Sequence, residues 1–213
     1  MKAALFDLDG TLVDTTELIF QSMNHAVTEV LGEERSREEL MANVGQPLPA
    51  QMKYFDAGRA DELLEAYRTY NDEVHETFIA SFPNVEESLA RLRDAGIKIA
   101  VVTSKRRHSV GLALDSFPAL RDVVDHFVTM EDTTEHKPRP EPLLKALELL
   151  GGVSREEAAY VGDSPFDIEA AKAARLTSVG VSWGAFTGEA LRAANPDHLV
   201  SDLDAAVDVL LNL

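Results

Sequence analysis

The stretch Ala4-Leu5-Phe6-Asp7-Leu8-Asp9-Gly10-Thr11 decides the fold. Its first three residues form an apolar run of the kind that fills a parallel strand buried on both faces. Two carboxylates follow, two residues apart, and then Gly and Thr. In a continuing strand Asp7 and Asp9 would project from one face. Gly10 predicts instead that the strand ends near Asp7 and that the backbone is released into a turn. Two acids at the carboxyl end of a central strand are costly to desolvate and repel each other, so something must neutralise them. A hard divalent cation such as Mg²⁺, which takes oxygen ligands from one or two carboxylates plus a substrate phosphate, meets that need. An isolated D-x-D can also do no more than open a loop, with Asp14 capping a helix. The full D-x-D-G-T string is expected at only about 10⁻⁵ of positions at average residue usage.

Around this stretch lies a chain of 213 residues, enough for one compact domain or for a core with an inserted lid. Its 45% hydrophobic content can build a sizeable core. No apolar run approaches the roughly 20 residues of a membrane span, and the first residues lead straight into a strand rather than into a signal segment. With no cysteine there is neither a disulfide framework nor a thiolate site. These features predict a cytoplasmic protein with no membrane partner. A net charge of −17 argues against nucleic acid as a partner. It would also repel a phosphorylated substrate at long range, so phosphate chemistry in this chain requires a bound cation and a local basic cluster.

From Thr11 onward the pattern is helical. Asp14-x-x-Glu17 reads as a capping box, and Leu18, Ile19, Met23, Ala26, Val27, Val30 and Leu31 follow at helical spacing up to Gly32. Ser36-x-x-Glu39 opens a second helix, Gly45-Gln46-Pro47 breaks it, and two more helices follow, the last carrying Leu63, Leu64, Tyr67, Tyr70, Val74 and Phe78. The reading is a four-helix lid over residues 15–81, without a strand, inserted into a core of residues 1–14 and 82–213. After Pro83, helices alternate with strands at 97–102, within 123–129, at 158–161, 177–181 and 197–200. Such alternation predicts an α/β fold with a doubly wound, Rossmann-like parallel sheet, whose ligands bind beyond the carboxyl ends of the strands.

That rule gathers four clusters on one rim: Asp7/Asp9, Thr103/Ser104, Lys137 and Asp163/Asp167. Singly, each has an ordinary explanation: Thr103 as a helix cap, Lys137 as a surface lysine, Asp163 as a turn residue, Asp167 as a solvated helix acid. Their order and common position at strand ends are harder to obtain from structural needs alone. In that order, Phe6-Asp7-Leu8-Asp9-Gly10-Thr11-Leu12, Thr103, Lys137-Pro138 and Gly162-Asp163-x-x-x-Asp167 resemble the four motifs of the haloacid dehalogenase-like hydrolases, a superfamily of aspartate-nucleophile phosphatases. The helical insertion is similar to the lid of the C1-capped class.

The resemblance implies an Mg²⁺-dependent phosphatase acting on a small phosphorylated substrate. Asp7 is then the nucleophile, forming an aspartyl-phosphate, and Asp9 the general acid and base. Mg²⁺ is held by Asp7, Asp163 and the main chain of Asp9. Gly10, Thr11, Thr103, Ser104 and Lys137 contact the phosphoryl oxygens, and Asp167 supports from behind the metal, paired with Lys137. An acid at Asp9 separates the chain from the haloalkanoic-acid dehalogenases. Gln46, in Val44-Gly45-Gln46-Pro47-Leu48, is the expected lid contact with substrate; the alternative is a plain helix break. Lys105, Arg106 and Arg107 could add local positive charge. Thr16-Glu17-Leu18-Ile19, Tyr67-Arg68-x-Tyr70-Asn71, Lys137-Pro138-x-Pro140-Glu141-Pro142 and Gly180-Val181-Ser182-Trp183-Gly184 resemble the pyrophosphatase members of the phosphoglycolate phosphatase-like branch. A phosphosugar phosphatase or phosphosugar mutase would use the same set, and a non-catalytic phosphate- or metal-binding regulator could use the same rim.

Overall fold

A computed structural model describes all residues, Met1–Leu213. The chain opens with β1 (Ala3–Phe6), a two-residue strand β2 (Val13–Asp14), and four helices: α1 (Thr16–Leu31), α2 (Arg37–Met41), α3 (Leu48–Phe55) and α4 (Ala60–Phe78). It continues with β3 (Ala80–Ser81), α5 (Val85–Asp94), β4 (Lys98–Val102), α6 (Arg107–Ser116), α7 (Leu120–Val123), β5 (His126–Val128) and α8 (Glu141–Leu149). The last elements are β6 (Ala158–Gly162), α9 (Pro165–Ala174), β7 (Thr177–Val181), α10 (Gly188–Ala193), β8 (His198–Val200) and α11 (Leu203–Asn212).

Six strands form one parallel sheet in the order β5-β4-β1-β6-β7-β8. The apolar runs alternate across it as strand geometry requires. Ala4, Phe6, Ile99, Val101, Val161 and Val179 face the layer of α5, α6 and α11. Ala3, Leu5, Ala100, Val102 and Tyr160 face α8 and α9. Both faces are covered, so β1 is buried along its whole length, and burying a side chain such as Leu5 or Phe6 is worth about 1.5–3 kcal/mol. The sheet grows from β1 through β4 to β5, then crosses to the other side of β1 to continue with β6. The reversal of strand order therefore lies beside β1, where doubly wound sheets bind their ligands.

The four helices after β2 pack on one another around their own cluster, which includes Met23, Val27, Leu40, Met52 and Leu63. A capping box at Ser36 starts α2, with Ser36 Oγ accepting from the Glu39 N–H and the Glu39 carboxylate accepting from the Ser36 N–H. Two expectations are corrected here. The segment 15–81 is not free of strands: Ala80–Ser81 pairs antiparallel with Val13–Asp14, clamping the two ends of the helical segment together. Asp14 is not a capping-box residue, because it lies in β2; its carboxylate accepts from the Thr16 N–H, and α1 starts after Thr15 with no side-chain cap. No helix is long and apolar enough to cross a membrane.

Candidate active site

The register of the sheet sets the spacing of the rim. Phe6 is level with Val101 on β4 and Val161 on β6, so Asp7, Thr103 and Asp163 leave three adjacent strands within about one residue of the same height. The Asp7 N–H still donates to Val161 O (2.8 Å), which holds its side chain at the strand end. Asp7, Thr103, Lys137, Asp163 and Asp167 are all buried.

Lys137 enters on the loop before α8 and stands at the centre of the floor. Its Nζ lies 3.0 Å from Asp7 Oδ1 and donates to Asp167 Oδ1 (2.7 Å) and to the Tyr160 hydroxyl (2.9 Å). The Asp7 contact is an ion pair without an aligned hydrogen bond. The second oxygen of Asp167 accepts from the N–H and hydroxyl of Ser164 at the start of α9. Asp167 is thus fully engaged, as a residue supporting its neighbours would be. The Asp163 carboxylate accepts from the Ala185 N–H (2.7 Å).

Three carboxylates, Asp7, Asp163 and Asp167, have oxygen atoms within 4.8 Å of one another, and one ammonium stands among them. Burial pushes the Asp7 carboxyl up to about 7 against the pull of Lys137, with Asp167 and Asp9 pushing it further up. Asp163 is also raised well above the usual carboxylate range by burial, then by Asp167 and Asp7. Burial alone would lower Lys137, but Asp167 and Asp7 overcome it and hold the ammonium charged. Three negative charges and one positive leave an excess of two on the ionised floor. All-oxygen donors, an Asp7 oxygen without an aligned donor and this excess fit a hard divalent cation such as Mg²⁺.

Asp9 sits higher, partly exposed. Its Oδ1 accepts from the Thr15 hydroxyl (2.5 Å) and pairs with Lys105 Nζ (2.6 Å), leaving Oδ2 without a partner. Thr103 Oγ1 accepts from the Lys105 N–H (3.1 Å), so its own proton is available to a ligand oxygen. Asp7, Asp9, Thr103, Lys105 and Asp163 line a cavity of about 80 Å³, and the helical segment roofs it with Gln46, Gln51, Arg68 and Asn71. A water needs roughly 10–15 Å³ on this measure, so the space suits a small anion.

The roof is drawn down on the floor. Ser104 Oγ donates to Gly45 O (2.8 Å), and Arg106 grips both oxygens of Asp72 on α4 (2.9 and 2.7 Å). Gly45, at φ +99°, approaches so closely that a Cβ there would lie 2.8 Å from Ser164 Oγ.

Three expected phosphate contacts stand differently. The Gly10 N–H donates to Val13 O and the Thr11 N–H to Leu8 O, so the loop takes up these two main-chain donors, while the buried Thr11 hydroxyl has no partner. Gly10 serves close approach instead, since a Cβ at its φ of +71° would lie 2.3 Å from Asp163 Oδ2. The Ser104 hydroxyl is committed to the roof. Of the basic run, Lys105 reaches Asp9 and Arg106 ties the roof, while Arg107 pairs with Asp132 on the surface. Sequence reasoning passed over Tyr160, whose hydroxyl accepts from Lys137 and lies within hydrogen-bond reach of Val102 O and Asp167 Oδ1. A tyrosine inside an apolar strand needs a partner for its hydroxyl, and that was the available signal.

Residues 4–181 match the haloacid dehalogenase-like hydrolase family. The chain is 44% identical to "Putative pyrophosphatase PpaX" of Caldanaerobacter subterraneus subsp. tengcongensis over 95% of this chain and 91% of that one. It is 35% identical to pyrophosphatase PpaX of Bacillus mycoides over 99% and 97% of the two chains. A solved structure described as a predicted phosphatase from Clostridium acetobutylicum superimposes with a TM-score of 0.87 at 27% identity, covering 100% of this chain and 99% of that one. With the family match spanning both the sheet and the helical roof, the chain belongs to the haloacid dehalogenase-like hydrolases.

Proposed function

We propose that this protein is an Mg²⁺-dependent phosphatase that cleaves a small phosphate compound, pyrophosphate first among them, through an aspartyl-phosphate on Asp7. The observation that carries the reading is the floor itself: three clustered carboxylates and one lysine at the switch point of the sheet, beneath a roofed, partly open cavity sized for a small anion. Similarity to proteins named pyrophosphatase supports the choice of substrate.

Asp7 and Asp163, with the main-chain carbonyl of Asp9, would hold Mg²⁺, which when bound supplies positive charge for the carboxylates and for a phosphoryl oxygen. Asp7 attacks phosphorus in line, forming the Asp7–O–P bond of an acyl phosphate as the bond to the leaving oxygen breaks. Asp9 Oδ2, which has no partner of its own, delivers the proton that the leaving oxygen takes. In the second half, water attacks phosphorus and gives its proton to Asp9, and the Asp7 carboxylate is released with phosphate. Lys137 and the Thr103 hydroxyl stabilise the phosphoryl oxygens throughout. The roof of residues 15–81 acts as the lid that excludes bulk water during transfer, and Gln46 contacts the substrate from it.

Phosphate release from pyrophosphate, phosphoglycolate and several sugar phosphates tests this substrate choice. The reading expects pyrophosphate to give the highest kcat/KM. A sugar phosphate ahead by tenfold or more would move the assignment to a phosphosugar phosphatase or mutase. Mg²⁺ binding without turnover on any compound would favour the non-catalytic regulator.

A further inference from the structure

Arg68 on α4 lines the roof of the cavity, and no hydrogen bond or ion pair holds its guanidinium. Its Nε is buried and lacks a partner. Four other arginines, Arg139, Arg155, Arg175 and Arg192, also make no side-chain pair, but each is exposed and answered by water. A cation left over is unexpected in a chain with 37 acidic and 20 basic residues. The natural partner is present: Asp72 lies four residues on, one turn along the same helix, where an arginine ordinarily finds an acid. Both oxygens of Asp72 accept instead from Nη2 of Arg106, and His108 Nε2 lies 3.2 Å from one of them. The other cavity-lining cations above the floor are engaged, Lys105 in an ion pair with Asp9 and Arg106 with Asp72. Arg68 is therefore the one positive group on the roof that remains available to an occupant.

In-line transfer fixes where that occupant extends. With Asp7 attacking from the floor, the leaving group must lie opposite the nucleophile, toward the roof. A planar guanidinium held there matches a phosphate or carboxylate with two parallel donors. We propose that Arg68 is a specificity residue that grips a second anionic group on the leaving-group side of the substrate. The substrates would then be phosphate compounds whose leaving group carries its own charge, a diphosphate above all, rather than esters of neutral alcohols. The proposal deepens the reading given under Proposed function and rests on its placement of the reacting phosphoryl group over Asp7.

Calorimetric titration with two probes in Mg²⁺ tests it without turnover: methylenediphosphonate, which carries the second anionic group and is not hydrolysed, and inorganic phosphate, which lacks it. Arg68→Gln is expected to weaken methylenediphosphonate about a hundredfold and inorganic phosphate by no more than twofold. Arg68→Lys, which keeps the charge and loses the fork, should fall between. Equal weakening of both probes, no weakening of either, or a wild type that does not prefer the diphosphonate would each overturn the proposal. An unchanged melting temperature with unchanged phosphate binding shows that the variant is folded. If Arg68-dependent diphosphonate binding holds while the wild type releases no phosphate from pyrophosphate, pyrophosphate fails as the substrate and the grip of Arg68 on a second anionic group stands.

Discussion

On the floor of the cavity the charged groups answer one another. Lys137 touches Asp7, Asp167 and Tyr160, Asp167 also holds the start of α9, and Asp163 takes the Ala185 N–H. On the roof, Arg68 Nε and Gln51 Oε1 are buried with no partner at all. The difference separates two tasks. On the proposed reading the phosphorus-transferring floor is held by ion pairs, with one Asp7 oxygen left without an aligned donor for the metal, because misplacing these groups is costly in rate. A group that must recognise a ligand keeps a free donor or acceptor until the ligand arrives. Four predictions test the contrast, from the largest expected effect to the smallest.

Of these four, the largest effect is expected at Asp9. Asp9→Asn removes the proton carrier and should lower kcat about 10³-fold with little change in diphosphonate binding. A loss under tenfold would remove Asp9 from acid–base work. Lys137→Met leaves three buried carboxylates without their cation and should cost about 3–5 kcal/mol of folding free energy, read by urea denaturation at pH 8 without metal. A cost below about 1 kcal/mol would show that the floor is not held by charge pairing. Gly45→Ala puts a Cβ beside Ser164 at φ +99° and should lower kcat/KM about tenfold by hindering the closed arrangement. An unchanged value would mean that closure does not depend on that close approach.

The smallest effect is a shift with pH. Asp7 is raised in the folded state from an ordinary 3.8 to about 7. Between those values the folded chain holds a proton that the unfolded chain has lost, so metal-free stability falls as pH rises through this window. On the proposed reading, Mg²⁺ would take the place of that proton. Its gain in melting temperature should therefore be several degrees larger at pH 8 than at pH 5, measured by scanning calorimetry. An equal gain at both pH values would place the metal elsewhere.

The core could be read from sequence because its signals are local. Apolar runs in β1, β4, β6 and β7 end in Gly or polar residues that mark where strands stop, and the alternation with helices fixes the sheet. What escaped depended on pairing between distant residues. β2 and β3 are two residues each, with no periodicity, and exist because Val13–Asp14 meets Ser81–Ala80. Asp14 carries a capping-box spacing, but strand pairing with Ala80 took precedence over it. Within the site, Asp7, Thr103, Lys137, Asp163 and Asp167 follow from strand ends and motif order. The commitments of Gly10, Thr11 and Ser104 did not, because the carbonyls that occupy them belong to turns and to Gly45 on the roof. The pairing of Lys105 with Asp9 likewise joins two loops that are far apart in sequence.

The central claim is that the floor transfers phosphorus through Asp7 with Mg²⁺ on the same carboxylates. The most direct measurement is phosphate release from pyrophosphate by wild type and by Asp7→Asn, each with Mg²⁺ and with chelator. The account predicts turnover only in wild type with Mg²⁺, and a loss of at least about 10⁴-fold when either Asp7 or the metal is removed. Release by Asp7→Asn at a rate near that of wild type, or release undiminished by the chelator, would contradict it.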